Sequence, residues 1–240
     1  MFRFIHTADI HASKRRRDST LKTLDLIEKQ ASDFKVDCII IAGDFFDSPM
    51  TATEASGFAP ILRRMEEVQS HTPVYMLRGT PSHETDGSLD CFRVMPNVTV
   101  VETPSVLDMG KGVMALAIPE PRLPNFSGDM QEKYAAIQEM YSNMFAKAMK
   151  QYEEEKFTHK ILVFHGDMEG GILQNGAAIP SGNATLPLSL VKKFSPDYGC
   201  LGHVHRPQQV PGTNCWYPGT PCPKDFGEPH EGIIKLVELD

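Results

Sequence analysis

Val36-Asp37-Cys38-Ile39-Ile40-Ile41-Ala42-Gly43-Asp44-Phe45-Phe46-Asp47 sets the architecture of this chain. Four to five apolar residues in a row, mostly β-branched, read as a strand buried on both faces, as in a parallel sheet covered by helices. Gly43 lets the backbone turn sharply at the strand's end and project Asp44. Open α/β sheets bind ligands at the carboxyl ends of their strands, which is where this places Asp44. Alone the pair is weak, because Asp is common in turns and Asp47 has a simple reading as a local cap.

Histidines supply the company that gives the pair meaning. Asp9-Ile10-His11 closes a first strand (Phe2 to His6), Ser82-His83-Glu84 follows a third (Pro73 to Arg78), His165 ends a fourth (Lys160 to Phe164), and Gly202-His203-Val204-His205 follows a fifth. Five of the nine histidines therefore stand at strand ends beside two aspartates, a coincidence that isolated structural histidines do not explain. Imidazole with carboxylate and no thiolate suits Mn, Fe or Zn, and fits neither a Cys-type structural zinc site nor an all-oxygen calcium site.

These residues resemble the calcineurin-like metallophosphoesterases, whose pattern runs D-x-H, G-D-x-x-D, G-N-H-(D/E), H, G-H-x-H. Here the pieces are Asp9-x-His11, Gly43-Asp44-x-x-Asp47, Gly79 to His83-Glu84, His165 and Gly202-His203-x-His205. Within that superfamily the chain is most similar to the SbcD family of bacterial DNA repair nucleases. The stretches that carry this are His6 to His11, Ala42 to Asp47, Leu201 to Pro207, and Tyr217-Pro218-Gly219-Thr220 leading to Asp225-Phe226-Gly227-Glu228. The resemblance implies an α/β fold of two facing β-sheets flanked by helices, with the site at the strand ends. It implies two divalent metal ions, Mn first and Fe or Zn next. One is held by Asp9, His11 and His205 and the other by His165 and His203, with Asp44 between them. It implies hydrolysis of a phosphodiester by metal-activated water, with His83 as a catalytic proton donor that binds no metal and Glu84 steadying its ring. Asp47 orients a ligand or caps locally.

The third motif departs from the family. Its Asn, which precedes the His and supplies an amide oxygen to one metal, is missing from Gly79-Thr80-Pro81-Ser82-His83-Glu84. Counting from the His puts Ser82 in that place, and counting from the Gly puts Thr80 there. The chain also stops before the capping domain and ATPase-binding segment of the SbcD family, which puts an SbcC-like ATPase partner in doubt.

At 240 residues and 41% hydrophobic composition, positions 1–240 fit one domain with a sizeable core. Five cysteines without C-x-x-C spacing exclude a disulfide framework and a zinc ribbon, and point to a reducing, cytoplasmic setting. No long apolar segment predicts a signal peptide or a membrane span. The net charge of −7 is unlike that of a simple nucleic-acid binder. Lys14-Arg15-Arg16-Arg17, just past His11, is either a phosphate-contacting rim or a solvated start to the next helix.

In chain order, Leu21, Leu24, Ile27, Ala31 and Phe34 predict a helix over Ser19 to Lys35, making a parallel strand-helix-strand unit. Thr51 to Glu54 has capping-box spacing, ahead of a helix with Phe58, Ile61, Leu62, Met65 and Val68 on its apolar face. In the resembled nucleases, helices here and just after the third motif form a homodimer interface. Val98 to Val101, Ser105 to Asp108 and Val113 to Ile118 predict strands of a second sheet, and Met130 to Glu155 a long helix. The Gly-rich Gly166 to Asn183 predicts a mobile loop at the mouth of the site. Strands are expected at Tyr198 to Leu201, Cys215 to Tyr217 and Ile233 to Leu239, with a tight connection at Asp225 to Glu228. Three functional classes follow: a metal-dependent DNA nuclease, a phosphodiesterase or phosphatase on nucleotides or other small phosphate esters, and an inactive binding scaffold. Retention of both aspartates and the histidines speaks against the last.

Overall fold

The computed structural model describes residues 1–49, 55–222 and 232–240, so the Thr51 capping box and the Asp225 connection lie outside the described residues. Strand β1 (Phe2–Thr7), helix α1 (Arg17–Phe34) and strand β2 (Cys38–Ala42) form the expected unit, with β1 parallel to β2 and Ile5 opposite Ile39. Helix α2 (Ala55–His71) leads to β3 (Val74–Leu77), the short α3 (Asp90–Arg93) and β4 (Val98–Val101). The last strand in sequence, β11 (Lys235–Leu239), returns antiparallel to β1, giving a first sheet of order β11-β1-β2-β3-β4. Val98 to Val101 therefore extends the first sheet, parallel to β3, where the sequence predicts the second. A four-residue apolar run carries no label for the sheet that takes it, and pairing with Val74–Leu77 decides.

The second sheet holds β5 (Ser105–Asp108), β6 (Val113–Ile118), β7 (His159–His165), β8 (Tyr198–Gly202), β9 (Gln208–Gln209) and β10 (Cys215–Tyr217), in the order β5-β6-β7-β8-β10-β9. Helices α4 (Met130–Glu154) and α5 (Leu188–Phe194) cover its outer face. Alternation along the strands builds three apolar layers. Ile39 and Ile41 of β2 pack outward with Leu24, Ile27, Ile61 and Met65 of α1 and α2. Cys38, Ile40 and Ala42 point inward, against Ala115, Ala117, Ile161 and Val163 of the second sheet. Leu162 and Phe164 turn outward to Tyr141 and Phe145 of α4. The two facing sheets flanked by helices match the expected α/β sandwich.

Local chemistry fixes the helices. Asp129 and Glu132 form a reciprocal capping box at the start of α4, hidden in the sequence among the prolines and glycines of the preceding loop. Arg64 of α2 ties α1 through Asp25 and Glu28. Phe34, expected on the apolar face of α1, is instead exposed, because the helix ends there and Lys35 leaves in the left-handed region. Residues 166–183 are anchored at three points, with an exposed stretch between them: Met168 N–H donates to Tyr217 Oη, Ile172 N–H donates to Gln208 Oε1, and Met168 and Ile179 are buried in the outer core. Among the described residues no helix is long and apolar enough to cross a membrane.

His6 sits fully buried between the sheets, its Nε2 3.2 Å from the Leu201 carbonyl and its Nδ1 3.1 Å from Tyr198 Oη. Burial pushes its pKa down from 6.5 to about 3. Above pH 6.5 both folded and unfolded chains are neutral here; below it the unfolded chain gains a proton that the folded one refuses, so stability falls with pH. By pH 5 this costs roughly 2 kcal/mol. His6→Gln keeps one acceptor and one donor without titrating. Urea unfolding at pH 7.5 and pH 5 is expected to show a loss in the wild type larger by roughly that amount than in the variant.

Candidate metal centre

Five strand ends converge on one edge of the sandwich. Asp9 and His11 follow β1, Asp44 follows β2 through Gly43, Thr80 follows β3 through Gly79, His165 ends β7, and His203 and His205 follow β8. Asp9, His11, Asp44 and His203 hold φ values of 55°, 50°, 50° and 102°, although none is glycine. Such backbone costs about 1–3 kcal/mol per residue and persists only where surrounding contacts over-determine it. Here Asp9 N–H donates to Gly43 O at 3.0 Å and His11 N–H to Asp44 O at 3.0 Å, lacing the first two loops together.

The side chains fall into two groups, each offering three donor atoms within 4.8 Å of one another: Asp9, His11 and His205, then Asp44, His165 and His203. The imidazole nitrogens His11 Nε2 and His205 Nε2 stand 2.9 Å apart in the first group. His165 Nδ1–H donates to Ala42 O at 2.7 Å, leaving Nε2 3.4 Å from Asp44 Oδ2. The groups are joined by the His203 backbone N–H, which donates to Asp9 Oδ1 at 2.9 Å. All six residues named from the sequence as metal ligands are thus brought together, with Asp44 in the second group.

Electrostatics favour a cation. Burial raises the pKa of Asp9. Burial also opposes ionisation of Asp44, but the charge and hydrogen bond of His165 outweigh it and hold this carboxyl well below the usual range. Burial likewise works against a charged His165, yet Asp44 and Asp9 lift it to about 10. Two buried carboxylates among converging imidazoles demand positive charge, and a divalent ion fits the same donors.

His83 takes a different place. Its Nδ1–H donates to the Asp47 carbonyl, its ring lies edge-on to His11 with centroids 4.9 Å apart, and its Nε2 is 4.0 Å from Asp44 Oδ2. Asp47 approaches His11 Nδ1 at 3.5 Å, so it steadies that ring, and His11, Asp47 and His83 form a third donor group sharing His11. Glu84 does not steady His83 as the resemblance implied. Its carboxylate, fully buried, accepts Phe46 N–H at 3.1 Å and Gly79 N–H at 2.6 Å, which clamps two site loops together. Burial and the nearby Asp44 raise its pKa to about 7.

Thr80, one of two residues that counting along the motif leaves open, lies against the second group. Its N–H donates to Asp44 Oδ1 at 2.6 Å, and its Oγ1 lies 3.0 Å from Asp44 Oδ2. Two acidic neighbours stand apart from any motif and escape a reading of the sequence: Glu120 Oε2 is 3.7 Å from His203 Nδ1 and Asp167 Oδ1 is 3.8 Å from His203 Nε2. Lys14 to Arg16 form a short turn before α1, with Arg16 bonded to the His11 carbonyl and Lys14, Arg15 and Arg17 exposed.

A family model for calcineurin-like phosphoesterases matches residues 2–207. The chain belongs to that family. Of the curated proteins, the SbcD component of the SbcCD nuclease of Escherichia coli K12 is 28% identical over 264 aligned residues, covering 99% of this chain and 64% of that protein. The DNA double-strand break repair protein Mre11 of Methanopyrus kandleri is 24% identical over 251, covering 94% of this chain and 50% of its own length. This phosphoesterase therefore spans less than two thirds of the curated relatives it matches. Its family binds divalent metal ions, and the Asp/His groups described above offer donors of the kind that such ions take.

Proposed function

We propose that the chain is a metal-dependent phosphodiesterase that cleaves DNA, acting as an exonuclease or endonuclease, with residues 1–240 forming one catalytic domain in a reducing compartment such as the cytoplasm. The observation that carries the chemistry is the pair of joined donor groups at the strand ends. Asp9, His11 and His205 would hold one divalent ion and Asp44, His165 and His203 the other; Mn is the first choice, and Fe or Zn suits the same donors. Bound there, two ions supply charge neutralisation at the phosphate and a water activated for in-line attack.

The protein's own groups do the rest. The Asp47 carbonyl fixes the His83 ring so that Nε2 faces the site, where it gives a proton to the leaving oxygen. Asp47 holds His11 in register, as outer-shell carboxylates do for metal-ligating histidines. Lys14, Arg15 and Arg17, exposed beside His11, neutralise backbone phosphates of a DNA strand. A homodimer belongs to the same reading, as in the resembled nucleases.

A second reading, a small phosphate ester as substrate, is favoured by one observation: a cavity of about 410 Å³ beside His203, walled by Pro81, Pro121, Leu123 and Tyr134. Labelled DNA and bis-p-nitrophenyl phosphate, each with Mn and with chelator, separate the two. Chelator-sensitive cleavage of DNA is expected. His83→Ala is expected to keep its ions and lose about a hundredfold in rate. Cleavage of the small diester alone sinks the DNA reading, and a fully active variant sinks the role of His83.

A further inference from the structure

We propose that Thr80 Oγ1 is a donor at the second metal position, in the place where the family uses an amide oxygen, and that the Glu120 carboxylate beside His203 supports that position from outside the donor set. The proposal rests on the two-metal reading above and concerns the donors of one ion. Thr80 Oγ1 stands at the hub of the second group: 3.0 Å from Asp44 Oδ2, 3.1 Å from His165 Nε2 and 3.2 Å from His203 Nδ1. Neighbouring donors around a six-coordinate ion with bonds of about 2.1 Å are about 3.0 Å apart, so the hydroxyl has the spacing of a fellow ligand. Its one hydrogen can go to Asp44 Oδ2, and the two imidazole nitrogens beside it ligate a cation only in their neutral form. A cation bound here would displace any proton on those nitrogens and meet all four donors.

The two-residue insertion in the motif leaves this geometry intact. His83 N–H and Glu84 N–H both donate to the Thr80 carbonyl, at 2.9 and 2.8 Å, so Pro81 and Ser82 bulge outward in a tight turn. Thr80 is thereby fixed on Asp44, and it is Thr80, not Ser82, that reaches the group.

A neutral hydroxyl is a weaker donor than an amide carbonyl, and Glu120 offsets this. Its Oε2 is buried, 3.7 Å from His203 Nδ1, and accepts no hydrogen bond among the described residues. Such an oxygen carries a desolvation cost unless a cation or donor meets it. Arg78, itself buried, places both residues: Nη1 donates to Gly79 O at 3.1 Å and Nη2 to Glu120 O at 2.9 Å. One guanidinium thus sets the strand end that carries Thr80 and the loop that carries Glu120. A hydroxyl in place of an amide, with a carboxylate close by, makes the position harder and more negative, which favours Mn or Mg over Zn.

The test is titration of the metal-free full chain with Mn, counting free ion by electron paramagnetic resonance. The wild type is expected to bind two ions. Thr80→Val, which replaces the hydroxyl by a methyl, and Glu120→Gln are each expected to weaken one ion by roughly tenfold or more and leave the other unchanged. Thr80→Ser keeps the oxygen and is expected to bind as the wild type does, so a loss confined to the Val variant tracks the donor and not the packing. Two ions bound at wild-type strength by Thr80→Val or by Glu120→Gln overturn that residue's assignment. A wild type that binds fewer than two ions overturns the two-metal reading itself, which separates the two failures. If Thr80→Val does not fold, weakening in Glu120→Gln alone supports the position so built and its absence overturns it.

Discussion

Asp44→Asn is expected to lower phosphodiester hydrolysis roughly a thousandfold or more, a loss of about 4 kcal/mol in transition-state stabilisation. The side chain is almost fully buried, and its Oδ1 accepts Thr80 N–H at 2.6 Å. Asn has the same shape and preserves that bond through its own oxygen, so the loops stay in place. The other position changes sign. Oδ2, 3.4 Å from His165 Nε2 and 3.0 Å from Thr80 Oγ1, becomes an amide NH2 that donates where an acceptor is needed. The charge that holds the second group together is then gone, and with it the chief cause of the raised pKa of His165. Counting Mn bound per chain beside the rate checks the argument: the variant is expected to bind fewer ions than the wild type while retaining its circular dichroism spectrum. Full metal content with a rate within tenfold of wild type contradicts it.

Much of this centre is legible in the sequence because each piece is local. An apolar run ending in Gly43-Asp44, or in His165, announces both a buried strand and a polar group at its end. Parallel strands then bring those ends to one edge, so residues far apart in the chain meet without any long-range signal being read. What the sequence hides is decided by tertiary contact. Glu84 follows His83 directly and invites pairing with it, yet adjacent residues in a tight turn diverge, and the carboxylate finds the backbone N–H groups of Phe46 and Gly79. Thr80 and Ser82 are equivalent by counting, and only the Asp44 contact separates them. Glu120 and Asp167 carry no motif, since their relevance is proximity to His203. The four-residue β4 likewise has no pattern naming its sheet.

Gly43→Ala is expected to destabilise the protein by more than about 3 kcal/mol, and Gly110→Ala supplies the reference that explains why. Both glycines have positive φ, +92° and +80°, so an alanine at either pays the left-handed backbone cost of about 1–2 kcal/mol. At Gly110 nothing lies within 4 Å of the added Cβ. At Gly43 the Cβ falls 2.0 Å from His165 Nδ1, the atom whose hydrogen is donated to Ala42 O at 2.7 Å. The ring has no room to yield, since His165 is fully buried, so the clash breaks that bond and turns Nε2 away from Asp44. Urea unfolding of the two variants therefore isolates the steric part: Gly43→Ala is expected to fall below Gly110→Ala by at least about 2 kcal/mol. It is also expected to bind one ion weakly, whereas Gly110→Ala binds as the wild type does. Equal stabilities in the two variants mean that His165 moves aside freely, and the close approach of Gly43 then has no part in holding the centre.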